Sequence, residues 1–350
     1  MKSAMALLDV ERLSVEYQTL QGTVPAVRDV SFSLSPGRAM GLVGESGCGK
    51  TTLARALIGV LSRNARITGG AVRFEGTDLL RLPPDQFNDY RWRRIAMVPQ
   101  AAMDSLDPVQ RVGDQMVETM VLRGNLTRAA AADRARELFA MVGLQPDRLR
   151  LYPHELSGGM KQRAVIALAL ALRPPLVIAD EPVTALDVIV QHQVLQTLRD
   201  LREALGVSLL LITHDISVVA NLCDDVAVMY AGRIVESGAV RQVFAEPRHP
   251  YTMGLRNAFP SLRAEQEHLV PIEGYPPDLA HLPQGCAFTA RCPFAIPRCW
   301  EEDPVLRAEG EGQEAACHRA HEAQALRVQA PAAFARLAGD EIRSAPREAS

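Results

Sequence analysis

Residues 44–51 read Gly44-Glu45-Ser46-Gly47-Cys48-Gly49-Lys50-Thr51, the pattern G-x-x-x-x-G-K-[ST]. Glycines at these places let consecutive backbone N–H groups turn inward around phosphate oxygens. A helix starting near Lys50 adds about half a positive charge at its N-terminus. Lys50 would reach the β- and γ-phosphates of a nucleotide, and Thr51 would ligate Mg2+. A second group closes an apolar run, Leu176-Val177-Ile178-Ala179-Asp180-Glu181. Acids at the carboxyl end of a buried strand stand where ligands bind in open α/β sheets. There Asp180 would hold Mg2+ through water and Glu181 would act as general base on the attacking water.

A third group, Leu156-Ser157-Gly158-Gly159-Met160, precedes an amphipathic stretch over Lys161–Leu172. Ser157 would cap that helix, and the two glycines leave backbone N–H groups bare. This is a second anion-binding helix start. One nucleotide is not readily held by both within one chain, so the pair points to a composite site between two subunits.

The elements that must carry these groups alternate as in an α/β domain. Strands are expected over Val10–Tyr17, Arg28–Leu34, Ala39–Val43, Ile95–Pro99, Leu176–Ala179 and Ser208–Thr213, and a helix over Thr51–Leu61. Val226–Tyr230 and Arg233–Glu236 form a hairpin through Ala231–Gly232. Between the strands at Ile95 and Leu176, the spacing of apolar residues predicts helices over Val109–Leu122 and Arg128–Val142. A helical subdomain at about 101–172 is therefore inserted into a domain spanning 1–246. From Pro247 to Pro304 recurring prolines exclude long regular elements, so 247–325 reads as an irregular extension that needs a staple. The tail, 326–350, is expected to be a loose helix or nothing ordered.

Composition agrees with a packed globular chain: 47% hydrophobic and 23% charged over 350 residues. Lys+Arg 38 against Asp+Glu 41 gives a net charge of -3, which argues against a chain built to coat nucleic acid. The longest apolar runs, 164–172 and 207–212, are broken by Arg173 and by His214–Asp215, short of the ~20 residues that cross a bilayer. Asp9 and Glu11 interrupt the N-terminal apolar stretch, so no signal peptide is expected and any membrane role is peripheral.

In this order the motifs resemble the nucleotide-binding subunit of an ATP-binding-cassette (ABC) transporter. The resemblance implies a P-loop NTPase fold of ABC type, with ATP and Mg2+ bound. It aligns Tyr17 with an adenine-stacking aromatic, Gln100 with the glutamine that senses Mg2+ and the attacking water, and His214 with the switch histidine at the γ-phosphate. It also matches Ser157, Gly158 and Gly159 to the signature that closes over a partner's ATP, and Ala185-Leu186-Asp187 to the loop crossing the dimer interface. Residues 44–51 and Thr52 would complete the nucleotide contacts, and Ala101–Val109 would receive a membrane subunit. Glu181, His214, Lys50 and Gln100 are the catalytic candidates. Tyr152–Arg163, His249-Pro250-Tyr251-Thr252 and Gly285–Pro293 are similar to the oligopeptide/dipeptide importer ATPases. That narrower resemblance implies a second, similar ATPase subunit, suggested by Met160, two transmembrane permease subunits and, indirectly, an extracytoplasmic substrate-binding protein. It implies a place on the cytoplasmic face of the membrane and no nucleic-acid partner. The competing reading is a soluble ATP-switch protein of DNA repair or translation, but the chain shows no coiled coil, second cassette or basic linker.

Four late cysteines are spaced C-x5-C-x6-C-x17-C: Cys286, Cys292, Cys299 and Cys317. The tight pairs of zinc ribbons are absent, whereas looser thiolates can hold an iron–sulfur cluster. The resemblance implies a [4Fe–4S] cluster here; zinc or free thiols are the alternatives. Cys48, near a helix N-terminus, is expected to have a lowered pKa and to be alkylated unless ATP protects it. Cys223 reads as core.

Overall fold

The computed structural model describes residues 6–184, 186–258, 270–310 and 312–344. Strands β1 (Leu8–Thr19) and β2 (Gly22–Leu34) form a hairpin, and β4 (Ala65–Phe74) and β5 (Thr77–Asp78) join it as an antiparallel sheet ordered β2-β1-β4-β5. The strands β3 (Ala39–Val43), β6 (Ile95–Val98), β7 (Leu176–Asp180), β8 (Ser208–Thr213), β9 (Asp225–Tyr230), β10 (Arg233–Ala239), β11 (Arg307–Ala308) and β12 (Gln313–Ala315) build the larger sheet. Its order is β11-β12-β10-β9-β3-β8-β7-β6. Its centre is parallel: β3 pairs with β8 and β9, and β7 with β6 and β8.

Side-chain alternation divides this sheet between two cores. Along β3, Met40 and Leu42 pack with Leu53 and Leu57 of the Lys50–Leu57 helix and with the smaller sheet, while Ala39 and Val43 face the helical side. The same division separates Leu210 and Ile212 from Leu209 and Leu211 on β8. Strands buried on both faces read as continuous apolar runs, which is why these were legible. Each fully buried Leu or Val contributes roughly 1.5–3 kcal/mol.

The insertion is helical, as its spacing predicts. Helices cover Val112–Gly124, Arg128–Met141 and Gly158–Ala169, the last starting three residues before Lys161. The helix after the glycine-rich loop ends at Leu57, earlier than the expected Leu61.

The extension is tied to the large sheet more closely than its prolines suggest. β12 pairs with β10, and buried Glu236 of β10 accepts bonds from the N–H groups of Arg248 and His249 and from Gln313 Nε2. Burial pushes the Glu236 carboxyl up to about 6 and the His249 ring down to about 3. One helix, Ala323–Ser344, runs across the 325/326 boundary with Pro331 inside it and Phe334 fully buried. Pro331 removes one ladder hydrogen bond, a local loss that the burial of Phe334 offsets.

Candidate functional site

Four neighbouring parallel strands deliver the candidate residues to one edge. The glycine-rich loop leaves β3, Gln100 follows β6, Asp180 ends β7 with Glu181 next, and His214 follows β8. These are the carboxyl ends of the strands, where open α/β sheets bind ligands. A cavity of about 430 Å3 lies there, lined by Tyr17, Ser46, Gly47, Gly49, Lys50, Thr51, Thr52, Gln100 and Glu181. Tyr17 Oη stands 3.1 Å from Thr52 Oγ1.

Gly49 caps the Lys50–Leu57 helix at φ 104, and a Cβ there would lie 2.1 Å from the Ala26 carbonyl oxygen. Only glycine fits that combination. No side chain caps this helix, so its first N–H groups remain open to an anion. Lys50 is buried, and its ammonium donates to the carbonyls of Gly44 (2.6 Å) and Glu45 (2.9 Å). The cation is thus held at the loop by carbonyls and forms no salt bridge among the described residues, though it lies near enough to Asp180 to favour that carboxylate.

Asp180 is wholly buried, and neither carboxylate oxygen has a hydrogen-bond partner among the described residues. Burial pushes its carboxyl above the ordinary range, against the opposing pull of the Thr51 hydroxyl and Lys50. An orphaned anionic oxygen pair beside Thr51 and Lys50 suits a hard cation such as Mg2+.

Glu181 faces the cavity on a strained backbone, φ 49, held by its N–H to the Ile212 carbonyl at 2.8 Å. One oxygen accepts from the His214 N–H (3.1 Å) and lies 2.9 Å from His214 Nδ1; the other accepts from Thr184 Oγ1 at 2.9 Å. The carboxylate is therefore aimed by two partners while the His214 ring stays largely exposed. Thr184 went unread in the sequence, since a lone threonine in a turn carries no pattern.

Ser157, Gly158, Gly159 and Asp187 do not line this cavity. Ser157 accepts from the Met160 N–H and caps its helix as expected. Asp187 caps the Val188–Leu205 helix through the N–H groups of Ile189 and Val190. The two helix starts touch: a Cβ on Gly159 would lie 2.4 Å from Val190 Cγ1. Beside them Val188 and Ile189 are exposed, 79% and 72%. Ala185 lies outside the described residues.

Cys286, Cys292, Cys299 and Cys317 line one small cavity with His249 and Phe288. All are free thiols, and burial pushes Cys286, Cys292 and Cys317 above the ordinary thiol range, Cys317 to about 12. Soft sulfur donors around one space suit iron or zinc. Among the described residues, however, no group of three or more His, Cys, Asp or Glu side chains is arranged to hold a metal ion.

Cys48 corrects an expectation. It is 2% exposed, and burial raises its thiol pKa despite Lys50 and the nearby helix start. Desolvation of the thiolate outweighs those attractions, so the loop holds a protected thiol. Cys223 is half-buried against the core, its thiol likewise raised by burial.

Three residues of the extension carry no pattern that assigns them a role. Leu279 lines the nucleotide-sized cavity, Tyr251 accepts from the Glu45 N–H at 3.0 Å, and Arg291 pairs with the Glu45 carboxylate at 2.9 Å. The last two stood inside the quoted motifs, but a sequence separation of 246 between Arg291 and Glu45 hid the contact.

Comparison with known proteins gives a consistent picture. A family profile described as ABC transporter matches residues 27–184, and one described as oligopeptide/dipeptide transporter, C-terminal region, matches 235–299. The chain is 46% identical over 320 residues to the oligopeptide transport ATP-binding protein OppD of Escherichia coli (strain K12), covering 91% of this chain and 94% of that protein. It is 44% identical to the dipeptide transport ATP-binding protein DppD of Lactococcus lactis subsp. cremoris, covering 85% and 86%. Among solved structures, the dimeric bacterial ABC transporter cassette MJ0796 superposes with a TM-score of 0.61 at 25% identity, over 67% of this chain and 99% of that one. A dimeric post-hydrolysis state of the same cassette, bound to ADP and Pi, gives 0.60 at the same identity and coverage.

Proposed function

The chain belongs to the family of ATP-binding subunits of oligopeptide and dipeptide ABC transporters, and from that premise we infer that it hydrolyses ATP to drive peptide import through a membrane complex. Its relatives place it as a peripheral subunit of the membrane complex. Among the described residues no helix is long and apolar enough to cross a membrane. The observation that carries the mechanism is Asp180, a buried carboxylate beside Thr51 and Lys50 whose oxygens have no hydrogen-bond partner among the described residues.

Asp180, Thr51 and Gln100 would hold Mg2+, which neutralises charge on the phosphates. Lys50 would exchange its loop carbonyls for phosphate oxygens, and Tyr17 would stack on the base. Glu181 would take the proton of the attacking water, aimed by Thr184 and by His214. Ser157, Gly158, Gly159 and Asp187 would act across an interface on a second subunit's nucleotide. Exposed Val188 and Ile189 beside Asp187 support such an interface. ATP binding would then favour the closed pair, and loss of the γ-phosphate would favour the open one. Met160 supports a heterodimer with a second, similar ATPase. Exposed Val109 and Leu122 around a groove at Gln110, Asp114 and Arg128 support docking of the permease subunits there. A substrate-binding protein would deliver the peptide on the far side.

We divide the chain into a nucleotide-binding domain (1–246), an extension (247–325) and a tail (326–350). The four cysteines of the extension would hold a [4Fe–4S] cluster, supplying a covalent staple to a segment poor in regular structure. Absorption near 400 nm and iron analysis of anaerobically purified protein test this; a colourless protein with stoichiometric zinc would end it. The function is tested by recovering the chain from membranes. Two hydrophobic permeases and a second ATPase are expected, whereas tight nucleic-acid binding with a steep salt dependence would overturn the reading.

A further inference from the structure

The phosphate-binding loop is held from outside the nucleotide-binding domain. Glu45 is its second residue, and all three of its polar groups are engaged. Its N–H donates to Tyr251 Oη at 3.0 Å, its carbonyl accepts from Lys50 Nζ at 2.9 Å, and its carboxylate pairs with Arg291 Nη1 at 2.9 Å. Two of those partners, Tyr251 and Arg291, belong to the extension.

Arg291 is built to stay where it is. Its side chain is 7% exposed, and Nη1 also donates to Tyr230 Oη at 3.3 Å. Nε and Nη2 donate to the carbonyls of Glu273 (2.9 Å) and Ile272 (3.2 Å). The guanidinium also lies over the rings of Tyr230 and Phe288. Packing and a planar fork of donors thus fix the cation on one carboxylate. That carboxylate is an awkward group in its place, because a loop that gathers phosphates carries an acid one residue after Gly44. Left uncompensated and three-quarters buried, it would repel the ligand and release the carbonyl on which Lys50 rests.

We propose that Arg291 is a positioning residue of the nucleotide site: from the extension it pins the phosphate-binding loop through Glu45 and cancels a charge that would oppose the phosphates. The proposal rests on residues 44–51 being that loop. It makes the extension part of the ATP site, with Leu279 on the cavity wall as an independent sign of the same closeness.

The test is calorimetric binding of ADP with Mg2+ to the full chain. Arg291→Ala is expected to raise the Kd on the order of tenfold, less than the roughly thirtyfold or more for truncating one partner of a buried charge pair, because the pair acts on the ligand through the loop. Adding Glu45→Gln to Arg291→Ala is expected to bring the Kd back to within about threefold of wild type, because the repelling charge is gone. A merely structural Arg291, needed only for the carbonyls of Ile272 and Glu273, would not be rescued by a change at Glu45. Arg291→Gln, which keeps amide donors for those carbonyls, supplies the same loss where the alanine variant does not fold. Wild-type affinity in both Arg291 variants, or a defect that Glu45→Gln leaves untouched, overturns the proposal. If the wild-type chain itself binds no ADP, the reading of the loop falls first and this inference falls with it.

Discussion

Replacing Asp180 by Asn should move stability in opposite directions with and without ligand. The carboxylate is fully buried and neither oxygen has a hydrogen-bond partner among the described residues, so ionisation of the nucleotide-free protein leaves a desolvated charge. Burying an unpaired ion costs several kcal/mol, reduced here by Lys50 and Thr51. Asn keeps the shape and loses the charge, though its own unpaired amide still costs about 1–3 kcal/mol. The net gain is about 1–2 kcal/mol, which in a domain this large raises Tm by roughly 2–6 °C. Burial raises the folded-state pKa above the unfolded one, so the carboxylate's stability term is fully present below the unfolded value. It is lost as pH rises through the folded one. The gap between the two proteins should therefore widen toward neutral pH and close in acid. Saturating ATP and Mg2+ should reverse the order. At a hundredfold excess over Kd the wild-type chain gains about 2.7 kcal/mol, while the Asn variant, with one neutral carboxamide oxygen in place of the carboxylate, should gain far less. Thermal melts by fluorescence or calorimetry, with and without MgATP, read all of this. A ligand-free Asn variant that melts below wild type would show that Asp180 is held by a structural partner instead.

Three further outcomes follow from the same geometry. Glu181→Gln should retain ATP binding while turnover falls about 10²- to 10⁴-fold, the usual contribution of a general base; steady-state hydrolysis of the assembled complex reads it, and near-wild-type kcat would remove Glu181 from that role. Cys48, buried with a raised thiol pKa, should resist N-ethylmaleimide in the folded chain with or without ATP and react once denatured. Mass spectrometry of the native protein checks this, and rapid ATP-sensitive labelling would contradict it. Gly159→Ala should impair ATP turnover of the complex, because its methyl would lie 2.4 Å from Val190 Cγ1. Val190→Ala should restore a good part of the activity by opening that space, and a Gly159→Ala variant as active as wild type would show that the contact is soft.

Legibility followed burial pattern. β3 and β8 stand where their apolar runs predict, since strands covered on both faces are continuous in the sequence. β4 escaped notice because Gly69 and Gly70 interrupt it. Gly70, at φ 93, passes so close to the Arg12 and Glu11 carbonyls that a side chain would collide. The Val188–Leu205 helix opens on Val-Ile-Val, which favours a strand locally; Asp187 capping its first turn decides otherwise. At the site, residues on strand ends were legible because motif and topology coincide. Thr184, Leu279, Tyr251 and Arg291 were not given roles, because each acts through a contact set by tertiary packing. Cys48 shows the limit of a local rule: its helix start favours a thiolate, and its burial, invisible in the motif, prevails.

ATP-driven peptide uptake is measured in proteoliposomes holding the complete complex with its binding protein. Labelled peptide should accumulate only with MgATP on the side of this subunit, and Glu181→Gln should abolish accumulation while ATP still binds. Steady ATP hydrolysis by the intact complex with no peptide movement, for any of a range of di- and oligopeptides, would contradict the account.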